Sequence, residues 1–354
     1  MLQVRPLLLR CSSHTVRPSV HAVRFSSTLA FHSAVCALPR EDTKVGFPRA
    51  SEDAYFALRA PDGTFSAGVS DGVGGLREHG VDPGAFSSAL MTAAAAAAAA
   101  GLAPRAALKR ASAAVLAART FGGATALLFR ASPSGDVACA TIGDCTLFVA
   151  DEGGRVVSAT ERQLKKFDTP AQLGLLPPEA PPVSFDDVRA ALDFSATVAR
   201  GWTLVACTDG LTDNVFQHEI EAIIQSGAAG SARALARALV ARARAGATDR
   251  SRDSPFSLAA KDADILWRAG GRADDISVLV VRVVSSADGA EDDTGDDAAL
   301  DALASHLVPR NAAAASHVLA QRHPRADPRN KANGGSGRVA ARNRKNGGGG
   351  RKSD

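Results

Sequence analysis

The chain has 354 residues, of which 45% are hydrophobic, and a formal net charge of +4 at pH 7. A chain of this length and composition can bury one large core or two smaller ones. The charge surplus is small and unevenly placed, so it gives no reason to expect nucleic acid as the partner of the folded part, and no apolar run reaches the roughly 20 residues that a membrane-spanning helix requires.

Residues 1–35 have the composition of an organelle transit peptide. They contain four arginines, several serines and no acidic residue, and the first acid is Glu41. Residues 7–9 are too short to be the apolar core of a secretory signal. We therefore predict a mitochondrial transit peptide, with a plastid leader or a merely unstructured basic end as the alternatives.

Short apolar or alternating runs bounded by Gly, Pro and Asp predict β-strands. They lie at residues 54–58, 64–70, 124–130, 137–142, 145–150, 155–158, 202–208 and 276–283. Stretches rich in helix formers, with apolar residues at helical spacing, predict helices at 83–100, 104–119, 217–226 and 231–245. Strands at hairpin spacing with helices grouped elsewhere indicate an α+β domain built on antiparallel sheets.

The composition changes at Ser285. Residues 287–301 are acidic and poor in apolar side chains, and residues 310–354 are basic and rich in glycine. Neither stretch can bury enough apolar surface to offset chain entropy, so we predict a disordered acidic-then-basic tail over residues 285–354. The basic end could bind RNA or an acidic lipid, although a solvated low-complexity tail is the simpler interpretation.

Acidic residues stand at the ends of several predicted strands. They are Glu52 and Asp53 before the run 54–58, Asp71 after 65–69, Asp209 after 202–208, and Asp274 and Asp275 before 276–283. Because a buried carboxylate needs a cation or hydrogen bonds to offset its lost hydration, this recurrence suggests a shared cation site. No His or Cys lies beside these acids, and oxygen-only ligands favour Mg²⁺ or Mn²⁺ over zinc.

The motifs and their order resemble the type 2C metal-dependent protein serine/threonine phosphatases. The matching motifs are Glu52-Asp53, Asp71-Gly72-Val73-Gly74-Gly75, Gly122-Gly123-Ala124-Thr125-Ala126, Ile142-Gly143-Asp144, Thr208-Asp209-Gly210-Leu211-Thr212-Asp213 and Asp274-Asp275-Ile276-Ser277. Segments 77–83, 167–173 and 254–256 resemble the mitochondrial branch of that family. The resemblance covers residues 45–284 and implies an α-β-β-α sandwich, with two packed antiparallel sheets flanked by helix pairs.

The resemblance implies a phosphoric monoester hydrolase that acts on phosphoserine and phosphothreonine in proteins. Two Mn²⁺ or Mg²⁺ ions would activate a water molecule and neutralise the phosphoryl oxygens, which agrees with five scattered cysteines that form no Cys-x-x-Cys pair. Asp71 is expected to bridge the two ions and to be catalytic together with Asp209 and Asp274. The implied metal ligands are Asp53, Asp71, the carbonyl of Gly72, Asp209 and Asp274.

The resemblance also assigns residues around the two ions. Glu52 is expected to act through water. Asp144 and Asp213 match the pair that holds a weaker third ion in some members of the family. Asp275 stands where the family more often has asparagine, and we predict that it orients Asp274.

Two positions depart from the family pattern. Many relatives have a histidine where this chain has Val73, and a valine cannot protonate a leaving group. The phosphate-binding arginine often stands four residues before the Glu, a position taken here by Pro48. Arg49 is the candidate replacement, with an ordinary surface charge as the alternative.

Two other classes of function remain open. A pseudophosphatase would keep the fold and bind phosphoproteins without hydrolysing them, although the presence of Asp71, Asp209 and Asp274 argues against it. An RNA-associated protein would use the basic tail. We expect phosphoprotein substrates, a monomer, a location in the mitochondrial matrix, and no contact with nucleic acid except through that tail.

Overall fold

The structure is a computed structural model that describes residues 28–40, 51–180, 182–227, 230–267 and 269–286. Its strands are β1 (Leu29–Leu38), β2 (Ala54–Arg59), β3 (Phe65–Ser70), β4 (Gly122–Ala124), β5 (Ala126–Ala131), β6 (Asp136–Ile142), β7 (Thr146–Ala150), β8 (Val156–Ala159), β9 (Leu164–Lys166), β10 (Thr169–Pro170), β11 (Leu173–Leu175), β12 (Leu192–Thr197), β13 (Thr203–Cys207) and β14 (Ile276–Ser285). Its α-helices are α1 (Pro83–Ala99), α2 (Pro104–Ala117), α3 (Asp209–Thr212), α4 (Gln217–Ser226), α5 (Ala232–Thr248) and α6 (Pro255–Asp262). Short 3₁₀ helices span Gly74–His79 and Val188–Ala190.

Two five-stranded antiparallel sheets form the centre of the domain. The first has the strand order β1-β14-β13-β7-β8, and the second has the order β12-β6-β5-β3-β2. Two short ladders, β9 with β10 and β4 with β11, complete the pairing of the described strands. Hairpins connect β2 with β3, β5 with β6 and β7 with β8, whereas β1 and β14 come from opposite ends of the domain and pair over ten residues.

Alternating side chains on each strand fill two different layers of the core. On β14, Leu279, Val281 and Val283 point between the two sheets, whereas Val278 and Val280 point toward the helices. This division follows from the two-residue period of a strand, in which successive side chains lie on opposite faces. A strand that is apolar on both faces therefore belongs at the middle of a layered structure.

The helices cover the outer faces of the sheets. Helices α1 and α2 pack on the second sheet, and α4 and α5 pack on the first. Helix α1 begins where Pro83 fixes the first turn and the carboxylate of Asp82 accepts a hydrogen bond from the N–H of Gly84 at 3.1 Å. The result is a four-layer α-β-β-α sandwich, so the fold class predicted from the sequence is confirmed.

The predicted start of the domain at residue 45 is wrong. Strand β1 begins at Leu29, and Phe31 is fully buried between the sheets. The centroid of its ring lies 6.1 Å from that of the Phe65 ring. A leader ending at residue 35 would remove most of this strand, so the predicted boundary at 35 is also too late. The rest of the predicted leader and the tail beyond Ser286 lie outside the described residues. In the described part, no helix is both long enough and apolar enough to cross a bilayer.

Candidate functional site

Strand ends from both sheets bring six aspartates together. Asp53 precedes β2, Asp71 follows β3, Asp144 lies between β6 and β7, Asp274 precedes β14, and Asp209 and Asp213 begin and follow α3. We call these six residues the acidic cluster. Burial is the main reason that the pKa of Asp71 lies well above its usual value, and the carboxylates of Asp209, Asp53, Asp274 and Asp144 raise it further. The sequence-predicted metal ligands are thus neighbours in space.

The Gly-Gly-Ala-Thr stretch around β4 holds Asp71 in place. The backbone N–H of Asp71 donates to Oγ1 of Thr125 at 3.2 Å, and the N–H of Thr125 donates to the carbonyl of Asp71 at 2.9 Å. The Ser70 hydroxyl donates to the carbonyl of Thr125 at 2.6 Å. These reciprocal bonds fix the backbone from which the Asp71 carboxylate projects.

Gly72 is required by the closeness of two other segments. A Cβ at this position would lie 2.7 Å from the carbonyl oxygen of Glu52 and 2.8 Å from that of Pro83. The N–H of Gly72 also donates to the Glu52 carbonyl at 3.2 Å. The side-chain-free position therefore lets three segments meet directly behind Asp71.

Asp53 has one hydrogen-bonded oxygen and one without a hydrogen-bond partner in the part of the chain that the structure describes. Thr208 donates its hydroxyl proton to Oδ2 of Asp53 at 2.9 Å, and the N–H of Ser277 donates to that same hydroxyl oxygen at 3.1 Å. Burial, followed by the charges of Asp275 and Asp274, raises the pKa of Asp53 to about 8. Among the described residues, Oδ1 of Asp53, Asp144 and Asp209 is buried without a hydrogen-bond partner in each case.

Such unpartnered carboxylate oxygens fit a hard cation. A buried anionic oxygen with no donor is costly, whereas Mg²⁺ and Mn²⁺ prefer oxygen ligands. The cysteines near the cluster are unsuited to metal binding or nucleophilic attack, because burial raises the pKa of Cys145 well above its usual value and that of Cys207 to about 12. The donor set therefore favours an oxygen-liganded divalent ion.

Similarity to known proteins covers most of this domain. The Stage II sporulation protein E (SpoIIE) family model matches residues 61–284. "Probable protein phosphatase 2C 26" of Arabidopsis thaliana is 31% identical over 79% of this chain and 90% of its own length. The human "Protein phosphatase PTC7 homolog" is 32% identical over 67% of this chain and 81% of its own length.

The chain belongs to the type 2C protein phosphatase family. Its fold also matches the X-ray structure of the photosystem II phosphatase PBCP, with a TM-score of 0.61, 28% identity, and coverage of 72% of this chain and 98% of that one. The protein is accordingly a protein serine/threonine phosphatase.

Three arginines contact the acidic cluster of this phosphatase, and Nη1 of the first, Arg40, lies 3.8 Å from Oδ1 of Asp274. Nη1 of Arg272 lies 3.4 Å from Oδ2 of Asp209, and Nη2 lies 3.2 Å from Oδ2 of Asp274. Nη2 of Arg162 lies 2.9 Å from Oδ1 of Asp213 and 3.5 Å from Oδ2 of Asp144. Because guanidinium groups stand between carboxylates, the acids of the described residues do not converge as a ready-made group of three or more metal ligands.

Aromatic side chains support Arg272 from behind. Its guanidinium lies 5.4 Å from the ring centroid of Phe256, which packs against Phe167 at 5.1 Å and Trp267 at 4.8 Å. Arg272 also forms an ion pair with Asp168. Two of the three segments that resembled the mitochondrial branch, 167–173 and 254–256, thus meet at this arginine.

The remaining predicted residues have several different surroundings. Glu52 is buried and its carboxylate is paired with Arg77. Asp275 accepts hydrogen bonds from the N–H groups of Arg40, at 2.6 Å, and Glu52, so it holds the backbone that follows β1 beside the backbone that precedes β2. The predicted role of Asp275 in orienting Asp274 is supported only by a hydrogen bond from its own N–H to Asp274 Oδ1 at 3.0 Å. Arg49 lies outside the described residues.

Sequence reasoning missed three functional neighbours, namely Arg162, Thr208 and Arg272. Thr208 and Arg272 stand beside recognised acids, at Thr208-Asp209 and Arg272-Ala273-Asp274, so adjacency could have flagged them. Arg162 lies in a polar loop between β8 and β9, 18 residues from one partner and 51 from the other. No local pattern marks it.

Proposed function

We propose that this phosphatase hydrolyses phosphoserine and phosphothreonine in proteins at a binuclear Mn²⁺ or Mg²⁺ site. The ligands are Asp53, Asp71, the carbonyl of Gly72, Asp209 and Asp274, with Glu52 acting through water. The supporting observation is the meeting of carboxylates from four strand ends, with buried oxygens on Asp53 and Asp209 that have no partner among the described residues.

The ions, when bound, would lower the pKa of water and neutralise charge on the phosphoryl group. The chain's own residues have preparatory roles. Thr125 fixes the backbone of Asp71, and the Thr208 hydroxyl orients Asp53. Arg272 contacts both Asp209 and Asp274, so occupation of those carboxylates by ions would release its guanidinium to attract the phosphate dianion.

The test is hydrolysis of phosphoserine and phosphothreonine peptides by the full-length protein. We expect activity with Mn²⁺ or Mg²⁺, loss in excess EDTA, and recovery when the ion is restored. Thiol alkylation should leave the rate unchanged, because no described cysteine has the setting of a nucleophile. Activity undiminished in EDTA would exclude the binuclear mechanism, and phosphopeptide binding without turnover would indicate a pseudophosphatase.

We further propose that the protein is imported into an organelle, with the mitochondrial matrix as the first assignment and the plastid as the alternative. The PTC7 homologues among its relatives fit the first, and the likeness to a photosystem II phosphatase fits the second. Since β1 begins at Leu29, a removable leader would end before that residue. Residues 1–28 fused to a fluorescent protein should reach one of these organelles, and a diffuse signal would contradict import.

A further inference from the structure

Arg162 occupies the pair of carboxylates to which the family resemblance assigns a third metal ion. Its Nη2 atom contacts both Asp213 and Asp144, at 2.9 and 3.5 Å. Both aspartates are buried, and the arginine side chain is only 30% exposed. A single cationic group thus already bridges the two acids.

The charge of Arg162 is permanent. A guanidinium does not lose its proton in proteins, so it cannot be neutralised to make room for a metal ion. Within the described residues, ion pairs join Arg162 to Asp213 and Asp144, whereas none includes Asp53 or Asp71. The acidic cluster therefore has one side that is compensated by arginine and one that is not.

A divalent ion at the compensated side would meet two penalties. It would have to displace the Nη2 contacts, and it would then lie within a few ångströms of a fixed positive charge in a partly buried setting. Neither penalty applies beside Asp53 and Asp71. Ions held by Asp53, Asp71, Asp209 and Asp274 would displace Arg272, whose nitrogens lie 3.4 and 3.2 Å from Asp209 and Asp274, and would leave Arg162 on Asp213 and Asp144.

We propose that Arg162 is a built-in cation that replaces the third metal ion, so that this phosphatase binds two divalent ions rather than three. Arg162 is a positioning residue, because it holds Asp144 and Asp213 and does not touch the reacting atoms. The inference rests on the proposed binuclear site. It differs from the sequence-based expectation of a weak third site at Asp144 and Asp213.

The test is a count of bound Mn²⁺ on the full-length protein by equilibrium dialysis and calorimetry. We expect two ions in the wild type and an additional, weaker ion in Arg162→Ala, with an affinity for that ion about tenfold or more above the wild type's. Arg162→Lys keeps the charge and should stay at two ions. Arg155→Ala is the matched control, because Arg155 is 73% exposed and pairs with Asp151 outside the cluster.

Asp144→Asn gives a second test that does not require removal of the arginine. If Arg162 replaces the third ion, this variant binds the same two ions as the wild type; if a third ion occupies the site, the count falls from three to two. Melting in EDTA confirms that each variant is folded. Two ions in the wild type with none gained in Arg162→Ala, or three in the wild type, would overturn this inference alone. Fewer than two in the wild type would overturn the binuclear proposal as well.

Discussion

Two ionic clusters of the phosphatase domain balance charge in opposite ways. In the acidic cluster, six carboxylates face three arginines of the described chain, Arg40, Arg162 and Arg272. In the second, which we call the Glu219 cluster, one carboxylate faces two arginines. Glu219 accepts hydrogen bonds from Arg242 of α5, from Arg252 at 2.9 Å and from the N–H of Phe216 at 3.0 Å.

The ratio of carboxylates to arginines shifts the carboxyl pKa values of the two clusters in opposite directions. In the Glu219 cluster burial opposes ionisation, but the hydrogen bonds from Arg252, Arg242 and Phe216 outweigh it and lower the pKa to about 2. In the acidic cluster burial and mutual repulsion prevail, and the pKa of Asp53 rises to about 8. The Glu219 cluster therefore stabilises the metal-free fold, whereas the buried carboxylates of the acidic cluster oppose it, and the proposed ions would offset that cost.

The largest expected effect is that of Asp71→Asn. Removing a charge from beneath two proposed ions should lower kcat by roughly 10² or more, about 3 kcal/mol in the barrier, and weaken the binding of both ions. In EDTA the same variant should melt no lower than the wild type, because a repulsive buried charge has been removed. Steady-state kinetics, calorimetry and thermal melting measure the three quantities.

The competing explanation treats Asp71 as an ordinary turn residue. In that case Asp71→Asn would bind metal normally, melt earlier, and lose activity only in proportion to its unfolded fraction. Asp71→Ala serves as a harsher variant of the same position. Normal ion affinity in both variants would remove Asp71 from the ligand set.

Bound Mn²⁺ should raise the free energy of unfolding of the wild type. At a free Mn²⁺ concentration of 100 times Kd, a single site adds about 3 kcal/mol to the free energy of unfolding. We expect Asp71→Asn to lose most of this gain and Glu219→Gln to keep it. Melting curves with and without Mn²⁺ give the comparison, and an equal gain in all three proteins would show that the ions bind elsewhere.

Glu219→Gln should lower stability and leave metal binding and kcat unchanged, which is the reverse of Asp71→Asn. Loss of this carboxylate leaves Arg242 and Arg252 without their shared acceptor, and we expect the free energy of unfolding to fall by about 2 kcal/mol. The metal dependence and the kcat of the folded protein should not change. A fall in kcat at temperatures well below the melting point would contradict the division between the two clusters.

The smallest effect concerns stability in acid. Because the pKa of Glu219 falls from 4.5 to about 2 on folding, its contribution is complete above pH 4.5 and is lost as the pH falls toward 2. The difference in unfolding free energy between the wild type and Glu219→Gln should shrink over this interval. Denaturant titrations at pH 5, 4 and 3 test this; a constant difference would mean that Glu219 is not the titrating group.

Local patterns predicted the four longest helices, α1, α2, α4 and α5, and most strands, because long segments have a clear composition and spacing; the shorter helices α3 and α6 were missed. Helix α4 was predicted with its observed bounds, residues 217–226, since both its start and its apolar face are clear. Strand β12 is a largely exposed edge strand and was missed although Leu192, Phe194 and Ala196 alternate with polar residues along it. Strand β1 was missed because its residues were assigned to the arginine-rich leader, although Phe31 and Ala34 are core residues.

The acids of the site could be predicted because each stands in a short motif at a strand end. The arginines could not, because their role depends on distances in space. Arg162 reaches Asp213 across 51 positions, and nothing in the residues beside it records that contact. The charge balance of the site, unlike its ligand set, could not be predicted from the sequence, because it depends on loops that are distant in the chain and adjacent in the fold.

The pairing of β1 with β14 determines when this domain can fold. Strand β14 lies between β1 and β13, so until residues 276–285 are available β1 has no strand partner and β13, which pairs with β7 on its other side, has one open edge. A chain emerging from the ribosome cannot complete its first sheet until nearly the whole domain has been synthesised. During that interval the apolar faces of β1 and β13, which are buried in the finished domain, remain exposed to solvent.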